Sequence, residues 1–184
     1  DGYAATLGTF AVDHDLFAMT PERVAATLAQ ADDVLATFDG GVVVLTSDGR
    51  VVAARPATIG DAGDDWSDRA YWRAMLGSRA TVYSDIVPDG PGGRDVVVAS
   101  VPVLGSHGTL SGAIAGLFDI QSGESGALHK GLVTLPLGQH GRLVLVDGSG
   151  RAIFHSTPAL IGTEVSANPV VALVRAGEAG DFRT

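Results

Sequence analysis

The sequence predicts an α+β fold with antiparallel sheets, arranged as two similar modules behind an N-terminal helical segment. Three observations carry that prediction. Helical periodicity fills the first forty or so residues, short apolar runs punctuated by turn residues take over from Gly41, and one hairpin pattern occurs twice about a hundred residues apart.

Residues before Thr20, with Leu7, Phe10, Leu16 and Phe17, read as the tail of an earlier helix. Thr20-Pro21-Glu22 starts another, with a hydroxyl cap, proline at the first helical position and an acid facing the positive helix end. Val24, Leu28, Ala31, Leu35 and Phe38 then recur at helical spacing, so one face is expected to continue to the stop at Asp39-Gly40-Gly41. Beyond it, residues 42–46 form a strand, Ser47-Asp48-Gly49 a tight turn and residues 50–54 the returning strand. Ser67 is expected to cap a short helix that ends at Gly77. Strands over 81–87, 95–103 and 110–120 complete a five-stranded sheet, joined by the Pro/Gly-rich loop 88–93 and by Gly105-Ser106-His107-Gly108.

The repeat is explicit in the residues. Val42 to Arg50 reads VVVLTSDGR and Leu143 to Arg151 reads LVLVDGSGR, each followed by an apolar pair and then Ile-Gly, at Ile59-Gly60 and Ile161-Gly162. Aligned on Ile-Gly, the second copy carries one inserted residue. The expected organisation is therefore a helical segment over 1–39, a first module over 40–121, a linker over 122–138 and a second module over 139–184. The second module is expected to be incomplete, its next strand only beginning at Asp181-Phe182-Arg183-Thr184.

Composition narrows the function. With 184 residues, 46% hydrophobic and 18% charged, the chain can bury a sizeable core and is not of the disordered class. A net charge of -9 and the lack of a basic stripe argue against nucleic acid and anionic lipid as partners. Zero cysteine excludes thiolate catalysis, disulfides and cysteine zinc sites. No apolar run reaches the ~18 residues needed to span a bilayer, and no signal peptide is evident. No nucleophile elbow, P-loop, zinc-protease or dinucleotide motif occurs, and the five histidines are scattered, so no catalysis, metal or cofactor is expected.

Residues 64–120 carry a resemblance to a known family. The matching stretches are Asp65-Trp66-Ser67-Asp68-Arg69-Ala70-Tyr71-Trp72, then Tyr83-Ser84-Asp85, then Val97 to Pro102, and finally Gly112 to Ile120, which ends in Asp119-Ile120. Together with the repeat, they make the chain similar to the double Cache family, bacterial extracytoplasmic sensors with two PAS-like modules strung along a long N-terminal helix. The resemblance implies an extracytoplasmic domain of a membrane-anchored receptor, with its membrane segments and output domain elsewhere in the parent protein. It also implies a ligand in the first, membrane-distal module and pairing of two copies along the N-terminal helix.

The residues themselves suit a small zwitterion. Arg69 offers a planar fork for a carboxylate, while Asp85 and Asp119 offer acceptors for an ammonium that the rings of Trp72 and Tyr83 could enclose. Carried over from amino-acid-binding members of the family, the carboxylate end falls on Arg69 and Tyr71, and the ammonium end on Trp72, Tyr83, Asp85 and Asp119. Two positions depart from that pattern: the aromatic pair is Tyr71-Trp72, in reverse order, and Asp64 takes the place of a tyrosine. The expected ligand is a small carboxylate or amino-acid-like metabolite. The alternative is a structural or dimerisation module that binds nothing.

Overall fold

A computed structural model of the chain describes residues 2–123, 126–134 and 143–177. The chain divides into two compact units, Asp1–Asp119 and Ile120–Thr184. The expected strand at 181–184 and the Leu135-Pro136-Leu137-Gly138 part of the linker lie outside the described residues.

In the first unit, helices α1 (Gly2–Asp13), α2 (Pro21–Gln30) and α3 (Asp32–Leu35) precede strands β1 (Gly41–Thr46) and β2 (Val51–Arg55). Helix α4 (Ala70–Ser78) and strands β3 (Val82–Tyr83), β4 (Val96–Leu104) and β5 (Leu110–Asp119) follow. The five strands form one antiparallel sheet in the order β2-β1-β5-β4-β3. Both faces of its central strands are covered, which explains why β1, β4 and β5 read as unbroken apolar runs rather than alternating ones. One face packs Val43, Val98, Ala115 and Leu117 against Trp66, Tyr71, Trp72 and Met75. The other lies against α1, where a side chain at Gly116 would collide with Phe38 and Leu7, so only glycine admits that close approach. The rings of Tyr3, Phe38 and Phe118 close this side, with centroids 5.2 Å apart in two of the three pairs.

Three expected elements differ. The helix from Pro21 breaks at Ala31, because Arg55 on β2 donates to the Leu28 and Ala29 carbonyls at 2.7 and 2.8 Å and pairs with Asp32. Helix α4 starts at Ala70 rather than Ser67, since Asp65 Oδ1 accepts from the Ser67 amide at 2.9 Å and holds the preceding residues in a turn. It runs past Gly77 to Ser78, where Arg79 adopts a left-handed conformation with φ 54°. Strand β3 stops at Tyr83, because the Ser84 hydroxyl oxygen, not a backbone carbonyl, accepts from the Val98 amide at 2.8 Å.

The second unit contains α5 (Ala127–Val133), the hairpin β6 (Val144–Val146) and β7 (Ala152–His155), and α6 (Pro169–Arg175). Its hairpin repeats the first one down to the register. Leu45 pairs with Val51 and Val146 with Ala152, each beside a bulge. Behind each turn an arginine reaches one glycine carbonyl: Arg50 to Gly63 across 13 positions and Arg151 to Gly162 across 11. Trp66 N donates to Gly49 O in the first copy, and Val165 N to Gly150 O in the second. The backbone therefore equates Gly162 with Gly63, not with Gly60, and the second loop is two residues shorter rather than one longer. The Ile-Gly match is a coincidence of residue type.

Candidate functional site

The segment before α4 is laid down by the repeat's own hydrogen bonds, and it delivers Arg69 to the helix entrance as the residue before the first turn. Its guanidinium sits over the Trp66 ring, 5.4 Å from the centroid, and Nη2 lies 3.1 Å from Asp89 Oδ1. The other carboxylate oxygen of Asp89 accepts from the Tyr71 hydroxyl at 3.0 Å. Asp89 is only 8% exposed, whereas the Arg69 side chain is 39% exposed. A cation open to solvent on one side is thus tied to a buried anion on the other. Burial, and then the negative charge of Asp89, push the Tyr71 hydroxyl well above its usual pKa, so it stays a donor. Arg69 Nε is buried without a hydrogen-bond partner, leaving part of the fork unused.

Asp89 belongs to the Pro/Gly-rich loop between β3 and β4, and so does Arg94. Arg94 Nη1 meets Asp119 Oδ2 at 2.6 Å, with the Asp119 carboxylate almost wholly buried at the end of β5. The Asp119 amide donates to Asp39 Oδ1 at 2.9 Å. One loop therefore carries one partner of each of two ion pairs. Strand parity puts Asp119 on the same sheet face as Ala113, Ala115 and Leu117, the face covered by α4.

Arg69 and Tyr71 meet on Asp89, a residue that sequence reasoning missed. Neither Asp65 nor Asp68 holds Arg69; Asp65 faces Arg50 at 3.7 Å. Trp72 is 1% exposed and packs toward Gly49, within the core. Tyr83 pairs with Ala99, whose side chain is on the face opposite Val98 and Leu117. It is 48% exposed and does not converge with Arg69. Asp85 is exposed and lies beyond the end of β3 rather than within a strand. The space between the sheet and residues 61–76 is packed with Trp66, Tyr71, Trp72 and Met75, none more than 3% exposed.

Concavities lie elsewhere in this unit. A cleft of about 380 Å³ is lined by Asp32, Asp39, Phe38 and Arg55, and a groove of about 430 Å³ runs along α1 past Thr6, Phe10 and His14. Among the described residues no group of three or more histidine, aspartate or glutamate side chains could hold a metal ion. No helix among them is long and apolar enough to cross a membrane.

Neither a protein-family model nor a curated protein sequence matches the chain. Solved structures do. The chain is similar to the ligand-binding domain of the Pseudomonas fluorescens chemoreceptor CtaA, solved with L-alanine. That match has 18% identity and a TM-score of 0.64, over 91% of this chain and 68% of that one. A second likeness is to the ligand-binding domain of the amino-acid chemoreceptor PctB of Pseudomonas aeruginosa PAO1, solved with L-Gln, at 20% identity and a TM-score of 0.56 over 90% and 69% of the two chains. A third is to an extracellular ligand-binding receptor of Desulfohalobium retbaense, at 16% identity and a TM-score of 0.56. It covers 97% of this chain but only 35% of that one. At this identity the likeness establishes the fold. The chain has the α+β fold of these sensor domains, and the resemblance to double Cache domains holds at that level.

Proposed function

We propose that the first unit is the ligand-sensing part of an extracytoplasmic receptor domain, and that it takes a small carboxylate or amino-acid-like metabolite at Arg69. The observation that supports this most is the pairing of a partly exposed, incompletely satisfied guanidinium with the buried carboxylate of Asp89. A ligand carboxylate finds in Arg69 a planar fork, and an ammonium finds Asp89, with Asp119 and Asp85 as the further acids of that end. The CtaA and PctB domains were solved with L-alanine and L-Gln, ligands of that chemistry. In this reading residues 40–121 form the membrane-distal module and residues 139–184 belong to the membrane-proximal one. The parent protein then carries the membrane anchor and an output domain.

A second reading, a spacer or dimerisation module without a ligand, draws on a specific feature: Arg69 and Asp89 already neutralise each other above a packed interface. A thermal-shift screen of amino acids and small carboxylates separates the two, because a ligand that binds only the folded state raises its melting temperature. Calorimetry of the best compound against Arg69→Ala and Asp119→Ala then tests the site. Binding that is lost in Arg69→Ala while the variant stays folded supports it. Wild-type affinity in both variants would move the site elsewhere.

A further inference from the structure

We propose that the Arg69–Asp89 ion pair is an internal substitute for the ligand: an amino acid inserts into it, its carboxylate replacing Asp89 on Arg69 and its ammonium replacing Arg69 on Asp89. The exchange rests on the function proposed above and adds how the site opens. Asp89 engages the guanidinium by a single contact at 3.1 Å, and Nε, buried, has no partner. A ligand carboxylate placed side-on satisfies Nε and Nη2 together, which the Asp89 contact does not.

That placement requires Asp89, carried by the β3–β4 loop, to leave Nη2. The loop's tip, Pro91-Gly92-Gly93, has Gly92 and Gly93 at φ 67° and 78° and lies beside residues 57–59, and its two ends are held separately. Val87 and Val96 bridge the two ends, and Arg94 ties the second to Asp119. Tyr71 latches Asp89 in the closed arrangement through its hydroxyl.

Insertion conserves charge partners only for a zwitterion. A bare carboxylate takes Arg69 but leaves Asp89 buried and unpaired, which disfavours it strongly. The exchange therefore predicts unequal effects on the two ligands in one variant. We would titrate L-alanine and propionate, which differ only in the amine, into the wild type and Asp89→Asn by calorimetry. Asp89→Asn should strengthen propionate by about ten-fold or more, since the internal competitor is gone, and change L-alanine far less, since the loss of a charged partner for its ammonium offsets the same gain. Tyr71→Phe, which keeps both charges, gives an independent reading should Asp89→Asn fail to fold. It should tighten L-alanine by about five-fold by releasing the latch. Equal shifts of the two probes in Asp89→Asn, or unchanged or weaker L-alanine binding in Tyr71→Phe, overturn the exchange while leaving the site. Binding of neither probe by the wild type or by Asp89→Asn overturns the site reading and the exchange with it.

Discussion

The two hairpin-and-helix copies share a backbone design and differ at one decisive position. Each hairpin turns on a glycine at positive φ, sends an arginine to a glycine carbonyl and leads into a helix. At the entrance of that helix the first copy has Arg69, which leaves the helix amides uncapped and reaches Asp89. The second has Asn168, whose side-chain oxygen accepts from the Val170 amide at 3.0 Å and closes the helix locally. One scaffold thus serves two purposes. An asparagine there secures the helix, while an arginine gives up the cap and makes a charged site.

The largest expected difference between the copies is in packing. Two residues into each helix, the first places Trp72, 1% exposed, and the second Val171, 5% exposed. Trp72→Ala should lower stability by about 3 to 5 kcal/mol, and Val171→Ala by roughly 1 to 2 kcal/mol. Urea unfolding checks both. Trp66, the other of the chain's two tryptophans, reports the first variant by fluorescence, and circular dichroism reports the second. Equal effects would break the idea that the first copy carries the heavier core.

The helix entrance comes next. Arg69→Ala should cost about 2 to 5 kcal/mol in ligand binding, on the order of 30-fold or more, because a carboxylate loses its charged partner. Asn168→Ala should cost about 1 kcal/mol of stability and leave binding unchanged. Calorimetry on the best hit of the amino-acid and carboxylate screen reads the first, and denaturation the second. The contrast between the two entrances fails if both variants lose only stability.

The two turns give a finer test. A methyl at Gly49, φ 86°, would lie 2.9 Å from Ser67 Cα and 3.0 Å from Trp72 Cε2, atoms that cannot yield. At Gly150, φ 90°, it would meet the Ser166 hydroxyl and, at 3.0 Å, the tip of Arg175, side-chain ends that can turn aside once the exposed hydrogen bonds of Arg175 to Ser166 and to the Gly148 carbonyl give way. Gly49→Ala should therefore destabilise by about 2 to 3 kcal/mol and Gly150→Ala by about 1 kcal/mol, measured by thermal melting.

What the residues revealed follows the range of the forces involved. The strands beside Ser47-Asp48-Gly49, the antiparallel sheet and the repeat were legible, because turn chemistry and apolar runs act over a few positions. The break at Ala31 was not, since it depends on Arg55, 27 positions from the Leu28 carbonyl it takes. Asp89 was hidden for a similar reason. It sits among prolines and glycines as an ordinary turn acid, and its significance comes from Tyr71, 18 positions away. A signal existed: a tyrosine on the buried face of α4 needs an acceptor, and a nearby loop acid can supply one. Tyr83 does not join the ammonium end expected of it, because β3 is two residues long and pairing with Ala99 sets its direction.

The smallest expected effect concerns alkaline pH, and it is confined to the first unit because all three tyrosines, Tyr3, Tyr71 and Tyr83, lie there. The folded protein holds the Tyr71 proton well above the usual tyrosine range, through burial and the adjacent Asp89 charge. The unfolded chain releases that proton near pH 10. Below pH 10 both states keep it, and the hydrogen bond to Asp89 contributes about 1 kcal/mol in full. Above pH 10 the unfolded state alone loses a proton, so stability falls as pH rises, by at most about 1.4 kcal/mol per unit from this group. Tyr71→Phe removes the term. Its stability should lie about 1 kcal/mol below wild type at pH 8, and the gap should close or reverse by about pH 11. Urea titrations of both proteins across that range give the comparison directly. A constant gap would mean that Tyr71 ionises alike in both states, and that its hydroxyl is not held against a buried Asp89.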